Sequence, residues 1–458
     1  MWWFVAQDLI HPPLFYTALK LWTGIGGESL LWLRLFPVFW ATLALFPFLH
    51  LCRELKLKAS ATAIALFLFT VNGALIKYSQ EVRMYSLFLC LSLFSIWLFA
   101  RFFYRGKNIW ILTAINILLV YTHYFGWLVV AAEVLIILII QRIKLRHMLA
   151  VGGILLAAYL PWISAVWGAA SGGSDIRENI GWISRPGVRE GLDLLLDLVE
   201  PFYAQANSVE PMSILWVSVP MIAVILIAAL SYLRSSDVDD RERSAFLSIL
   251  VGSPIVAALL LSWLSPYSVW GSRHLIVVFA PAMILFAVFL SEIGSTQLRY
   301  ILIGAIGVLT AGALGLTVAN PIEEQIWCAW EKASEVEVDR KHGIIYAFED
   351  LAAYHLWFAT RLPNTAIVKV NGIAEIVEDK AYFLPRGSED LIRVVDARDV
   401  PDARDMLGEN VYFAFRDTSW NEHHQPIDFF KRKGYKVRQA FASDRVNGMQ
   451  VFMGEASR

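Results

Sequence analysis

The chain alternates long apolar stretches with short polar connections. Runs long enough to cross a bilayer, or nearly so, occupy residues 30–52, 61–76, 84–103, 109–121, 127–140, 148–167, 212–233, 245–264, 275–290 and 300–318. They predict about ten transmembrane helices, since roughly 20 apolar residues in helical form span the hydrocarbon layer. Ahead of them His11, Pro12 and Pro13 open a short amphipathic helix over residues 17–22, which Gly24, Gly26 and Gly27 end. Beyond Asn320 charge rises and the apolar period becomes two, predicting strands at 343–347, 365–370, 381–384, 391–395, 410–415, 435–441 and 449–453. Helical patterns fall at 321–334, 348–361 and 426–433. The fold class read from this pattern is an α-helical polytopic membrane protein with a C-terminal soluble α/β domain.

Charge then orients the spans. Basic residues collect in alternate loops, as Arg53, Lys56 and Lys58, then Arg101, Arg105 and Lys107, then Arg142, Lys144, Arg146 and His147, and these loops face the cytoplasm by the positive-inside rule. The expected organisation is an extracytoplasmic loop with a juxtamembrane helix at 1–29, a membrane domain at 30–319 with a long extracytoplasmic loop at 168–211, and an extracytoplasmic α/β domain at 320–458. This places the N-terminus outside with no preceding span to carry it there. An initial helix and its following loop are therefore expected upstream of Met1, the alternative being that so short a segment translocates unaided. Gly304, Gly307, Ala311 and Gly315 line one side of the last span and predict close helix packing there.

Composition agrees with a multi-pass protein of the cell membrane. Of 458 residues 57% are hydrophobic and only 17% charged, and the mean hydropathy is +0.54. A net charge of -1 gives no reason to expect nucleic acid as a partner. Cys52, Cys90 and Cys328 have no metal-ligand spacing and imply no disulfide framework.

The informative residues are those that break the apolar runs on one side of the membrane. Glu81 and Arg83 sit in a connection of a few residues between two spans, and Arg273 with His274 repeats the pattern at the start of a later one. A guanidinium fork suits phosphate oxygens, so these side chains are candidates for an anion pocket at the lipid surface; the plainer alternative is that Arg83 reaches lipid headgroups with Glu81 as its partner. His11, held by two prolines, and His123, between Thr122 and Tyr124, lie at the same depth. Glu133 interrupts an apolar run and is expected to be protonated, paired across helices or facing a cavity. Asp8, Glu28, Asp175, Glu178, Asp197 and Glu200 are all possible bases, Arg177 and Trp182 possible substrate contacts, and spacing does not choose among them. In the C-terminal domain residues 416–420 follow a strand at the end where α/β sites often lie, although so polar a turn needs no ligand.

Taken together, residues 11–16 (HPPLFY), Leu33 and Arg34 within 30–37 (LLWLRLFP), 78–85 (YSQEVRMY), 122–126 (THYFG) and 272–275 (SRHL) stand in an order that resembles GT-C type bacterial membrane glycosyltransferases. These are the relatives of dolichyl-phosphate-mannose protein mannosyltransferases and aminoarabinose transferases. The resemblance covers residues 1–318. It implies an enzyme that moves a sugar, with inversion, from a polyprenyl-phosphate donor in the membrane lipid to an acceptor glycan, lipid or protein on the outer face. By position it makes His11, Arg83, Arg273 and His274 the donor-phosphate ligands and Tyr16, Glu81, His123 and Tyr124 the pocket lining. No cofactor is certain, and whether a divalent metal ion is needed stays open. The family's acidic base lies upstream of the His-Pro-Pro motif, hence upstream of Met1 here, with Asp8 only a weak stand-in. Two other readings remain at this stage: a lipid-linked glycan flippase, which would place polar groups at the midplane of several spans, and an inactive membrane scaffold.

Overall fold

The computed structural model describes residues 5–6, 9, 11–140, 145–172, 180–181, 183–202, 214–235, 238–319, 330–338, 343–360, 365–371, 392–405, 411–417, 419–421, 423, 425–443 and 450–458. The chain divides into two compact units, Met1–Asn320 and Pro321–Arg458.

The first unit is helical and carries the ten apolar stretches. Helix α1 (Leu14–Gly26) starts behind the proline pair and ends at Gly27, whose φ of 81° only glycine adopts without strain. It folds back on α2 (Leu30–Leu43) through a reciprocal clasp: the Trp22 indole donates to the Trp32 carbonyl at 2.8 Å and the Trp32 indole to the Trp22 carbonyl at 2.9 Å, with the rings stacked 4.5 Å apart. Helix α3 (Leu45–Glu54) continues α2 past a single break, so that together they are long enough to cross a membrane.

The run at 61–76 is not one helix. It is divided into α4 (Ala59–Val71) and α5 (Gly73–Tyr78) by Asn72, which is extended and buried. Its Oδ1 caps α5 by accepting from the Leu75 N–H at 3.0 Å, and its Nδ2 donates to the Asp197 carbonyl at 2.8 Å. An amide that satisfies both a helix start and a distant carbonyl makes the break cheaper than a continuous turn here. Helix α6 (Tyr85–Arg105), buried along nearly its whole length, is the central span. Around it stand α7 (Ile109–Thr122) and α8 (Gly126–Ile139), joined by a three-residue turn that is tight enough for a Cβ at Gly126 to strike the Leu119 carbonyl at 2.9 Å.

The remaining helices are α9 (Leu145–Ser171), α10 (Val188–Val199), α11 (Leu215–Ser235), α12 (Val238–Leu264), α13 (Phe279–Ser291, entered by a 3₁₀ turn at Ile276–Val278) and α14 (Thr296–Ala319). Leu149, Trp167, Leu230, Leu264 and Val308 stand exposed on α9, α11, α12 and α14, as side chains facing lipid do. The close packing expected along the last span is not found. A Cβ at Gly304, Gly307 or Gly315 would meet nothing within 4 Å among the described residues. Small residues permit a close approach, but they do not supply the neighbour.

The second unit is a six-stranded sheet in the order β3-β2-β1-β4-β6-β5, built from β1 (Gly343–Ala347), β2 (Thr365–Asn371), β3 (Arg393–Asp396), β4 (Val411–Asp417), β5 (Lys436–Ala442) and β6 (Gln450–Ser457). Strands β1 to β4 run parallel, and β6 and β5 close the edge antiparallel. Helices α15 (Trp330–Val338) and α16 (Asp350–Thr360) cover one face around Ile345, Tyr412 and Met453; α17 (Gln425–Arg432) covers the other around Phe413, Phe415 and Phe452. The strand expected at 381–384 lies outside the described residues.

Candidate active site

Four connections meet at one end of the helical unit. The turn between α5 and α6 is closed by the Arg83 N–H to the Glu81 carbonyl at 2.7 Å and by Ser86 Oγ to the Tyr78 carbonyl at 3.0 Å. It leaves Arg83 exposed but crowded by protein, hydrogen-bonded to Tyr85 and within electrostatic reach of Glu81 and Tyr16. The Tyr78 hydroxyl reaches Ser272, tying this turn to the one that carries Arg273 and His274. That second turn is held by the His274 N–H to the Gly271 carbonyl at 3.0 Å and by an imidazole contact, His274 Nδ1 to the Val269 carbonyl at 3.1 Å.

The third connection is the turn between α7 and α8. Its Phe125 N–H donates to His123 Nδ1 at 3.1 Å, and the His123 ring stacks on Phe88 at 4.8 Å. The rings of His123 and His274 are 5.4 Å apart, with Phe125 5.5 Å from each. The fourth is the segment before α1. There His11 stands 6.3 Å from the Tyr16 ring, and the Tyr124 hydroxyl donates to the Leu9 carbonyl at 3.1 Å while accepting from the Trp162 indole at 3.3 Å. Tyr124 is thus the strut that fixes the approach to His11.

Of the eight side chains that the motifs singled out, the structure brings together His11, Tyr16, Glu81, Arg83, His123, Arg273 and His274, with Tyr124 behind them. Burial, and then the neighbouring His274, His11 and Arg273, hold His123 far below the usual imidazole range. His274 is lowered to about 4 by burial, Arg273, His11 and Arg83, against the opposing Val269 hydrogen bond. Arg83 is raised: burial works against its charge, but Tyr85, Glu81 and Tyr16 outweigh it. The site therefore keeps two imidazoles neutral and its positive charge on guanidinium groups.

Among the acids, Asp8, Asp175 and Glu178 lie outside the described residues, as do Arg177 and Trp182. Glu28 is exposed on the surface. Asp197 and Glu200 are buried on the segment that docks against Asn72; Glu200 accepts from Ser218, and the Asp197 charge acts on the Tyr78 hydroxyl. Asp197 thus acts on the cluster through Tyr78. Glu133 is held across three helices, by Ser95 at 2.6 Å and Asn116 at 3.0 Å. Among the described residues no group of three or more His, Cys, Asp or Glu side chains is arranged to hold a metal ion.

Tyr78, Tyr85 and Ser272 belong to the cluster although nothing in the apolar pattern separates them from their neighbours. The signal was present in YSQEVRMY, where a tyrosine stands on each side of the acid and guanidinium. A cavity of about 180 Å³ opens beside the turn, lined by the hydroxyls of Thr42, Thr70, Ser79 and Ser86 and by apolar side chains such as Phe69 and Leu75. In the second unit Arg416 is committed to Glu349 through two bonds of 2.7 Å, and Trp420 packs on Phe413, Phe415 and Phe452, so the turn after β4 is structural.

No family model matches this sequence, and no curated protein matches it. Among solved structures, ArnT from Cupriavidus metallidurans in the apo state is similar at a TM-score of 0.60 and 12% identity, over 97% of this chain and 87% of that one. The same protein bound to undecaprenyl phosphate gives 0.47 at 12% identity, over 97% and 87%. An oligosaccharyltransferase of Archaeoglobus fulgidus in complex with zinc and sulfate gives 0.42 at 13%, over 76% of this chain and 53% of that one. The helical chain with its C-terminal sheet thus has the fold of the GT-C type membrane glycosyltransferases.

Proposed function

We propose that this chain is a membrane glycosyltransferase that moves a sugar from a polyprenyl-phosphate carrier to an acceptor on the extracytoplasmic face, with inversion at the sugar carbon. The observation that carries this reading is the convergence of Arg83, Arg273 and His11 from three distant segments, on a turn whose Ser79 and Ser86 also line a mostly apolar cavity. In such a transfer the bond from the sugar to the phosphate oxygen breaks and negative charge grows on the leaving phosphate. Fixed guanidinium groups lower that barrier, and they do so best where water is scarce. Hydroxyl groups of Thr42, Thr70, Ser79 and Ser86 on an otherwise apolar wall suit a head group and the start of an isoprenoid chain.

The fold of an established glycosyltransferase class supports the reading. The charge distribution supports the sidedness: Arg101 and Arg105 pair with Glu54 at 3.5 and 2.8 Å, and Lys58 with Glu292 at 3.0 Å, all at helix ends away from the cluster. By the alternation of spans the C-terminal unit is extracytoplasmic too. The glycan flippase draws less support, because Glu133, its main midplane residue, is engaged by neighbouring helices.

Undecaprenyl phosphate binding by the full chain in lipid nanodiscs tests the proposal. Arg83→Ala and Arg273→Ala are each expected to weaken binding and to cut transfer by about 10²–10³, as loss of one preorganised donor does. Normal binding and transfer by both variants, with wild-type expression, would refute it.

A further inference from the structure

Two residues before His11 the backbone takes a conformation that leucine avoids, with Leu9 at a φ of 60°. A residue so placed persists only where its surroundings hold it. The Leu9 N–H donates to the Ala6 carbonyl at 3.2 Å, its side chain is buried in a cluster with Val5, Val120 and Trp162, and its carbonyl accepts from the Tyr124 hydroxyl at 3.1 Å. The Tyr124 proton has one place to go. An indole N–H only donates and a carbonyl oxygen only accepts, so the Trp162 indole, 3.3 Å away, meets a lone pair of the hydroxyl while the proton points to Leu9. Trp162 is itself buried on α9. The tie therefore runs from the core of the helical unit to the segment that carries His11.

His11 thus has an anchor on each side. Ahead of it Pro12 and Pro13 are buried, Pro12 keeps His11 out of the helical region, and the Pro13 carbonyl accepts from both the N–H and the hydroxyl of Thr17, at 3.0 and 2.9 Å. Behind it stands Leu9, and only that anchor works against the preference of its own backbone. Were the Tyr124 bond lost, Leu9 would relax to negative φ and turn the chain two residues on. We propose that Tyr124 is a positioning residue for the donor phosphate: through the Leu9 carbonyl it keeps His11 beside Arg83 and Arg273, and so sets the affinity for a polyprenyl phosphate that it does not touch. The assignment rests on the donor reading above and departs from the lining role that the motif order implied. The turn that bears Tyr124 also sets the His123 ring 5.4 Å from His274, and His11 acts on both rings, so one short connection registers the segment before α1 against the rest of the cluster.

The test is a mutant cycle on undecaprenyl phosphate binding by the full chain in nanodiscs. Tyr124→Phe removes the hydroxyl and keeps the ring. A leucine prefers negative φ by about 5–30-fold in population, so binding is expected to weaken by about that factor, and by no more than His11→Ala weakens it. The double variant is expected to bind no more weakly than His11→Ala alone, because the strut acts through His11. In a Leu9→Gly background, where positive φ carries no steric penalty, Tyr124→Phe is expected to cost only about 2-fold. A hydroxyl that merely stabilised the bundle would give losses that add to those of His11→Ala and take no notice of residue 9. Additive losses, an undiminished effect in the Leu9→Gly background, or wild-type binding by Tyr124→Phe or by His11→Ala would overturn the assignment. Unchanged binding by both Arg83→Ala and Arg273→Ala would instead overturn the donor reading beneath it.

Discussion

Glu133 offers the sharpest quantitative test of the helical unit. It lies fully buried on α8, where Ser95 Oγ of α6 is 2.6 Å from one carboxyl oxygen and Asn116 Nδ2 of α7 is 3.0 Å from the other; Ser95 Oγ is also 2.5 Å from Asn116 Oδ1. A serine hydroxyl has one proton and here faces two acceptors, so the ring closes only if a further proton is present, and the glutamate is the group that can carry it. Then Glu133 donates to Ser95, Ser95 to the Asn116 carbonyl, and Asn116 back to Glu133. Glu133→Ala removes two of these bonds, each about 0.6–1.7 kcal/mol inside a membrane, and strands an amide N–H at about 1–3 kcal/mol, so the loss should be about 2–6 kcal/mol. Glu133→Gln can rebuild the ring with its own N–H and should cost no more than about 1 kcal/mol. Unfolding in mixed micelles by added dodecyl sulfate measures both. Equal losses for the two variants, or none for Glu133→Ala, would refute the proton count and with it the view that this ring pins the α7–α8 turn carrying His123.

The other predictions are simpler. Asn72→Ala removes the cap of α5 and the bond to the Asp197 carbonyl; about 1–2 kcal/mol of stability should go, and α10 should become open to proteolysis. Arg416→Ala leaves the mostly buried Glu349 carboxylate without its bidentate partner and should cost the C-terminal unit about 2–4 kcal/mol, read as an earlier thermal transition. Diethyl pyrocarbonate reacts only with neutral imidazole, so His274 labelling, followed by mass spectrometry, should persist as pH falls until about 4. Arg83→Ala removes a nearby positive charge, makes protonation easier, and should move that limit to higher pH; an unmoved or lowered limit would contradict the geometry.

The apolar rhythm reports the membrane helices because crossing lipid leaves few alternatives to a long apolar helix, and it places β1 correctly to the residue because a central parallel strand covered on both faces is a short apolar run. The break at Asn72 was not legible. One asparagine in an apolar run reads as a tolerated polar residue until the carbonyl it serves, 125 positions later, is known. The stripe Gly304, Gly307 and Gly315 failed for the related reason that a pattern on one helix says nothing about a second surface. Candidate side chains were visible as charges at span ends. The orientation of His274 was not, since its ring is held by a carbonyl five residues back that only the turn brings near.

The arrangement of charge is itself an argument for an anionic ligand. Arg83 and Arg273 lie on different turns, and each acts on His274, so the fold brings two guanidinium groups from distant segments to one place. Gathering them costs repulsion, and burial of His123 and His274 keeps that cost down by leaving both rings uncharged. A site meant only to meet lipid headgroups at the surface would need neither the buried neutral imidazoles nor the hydrogen bonds that choose their tautomers. Those features suit a site that takes an anion out of water, since fixed guanidinium groups act most strongly on a phosphate where the surroundings are dry and add no competing charge.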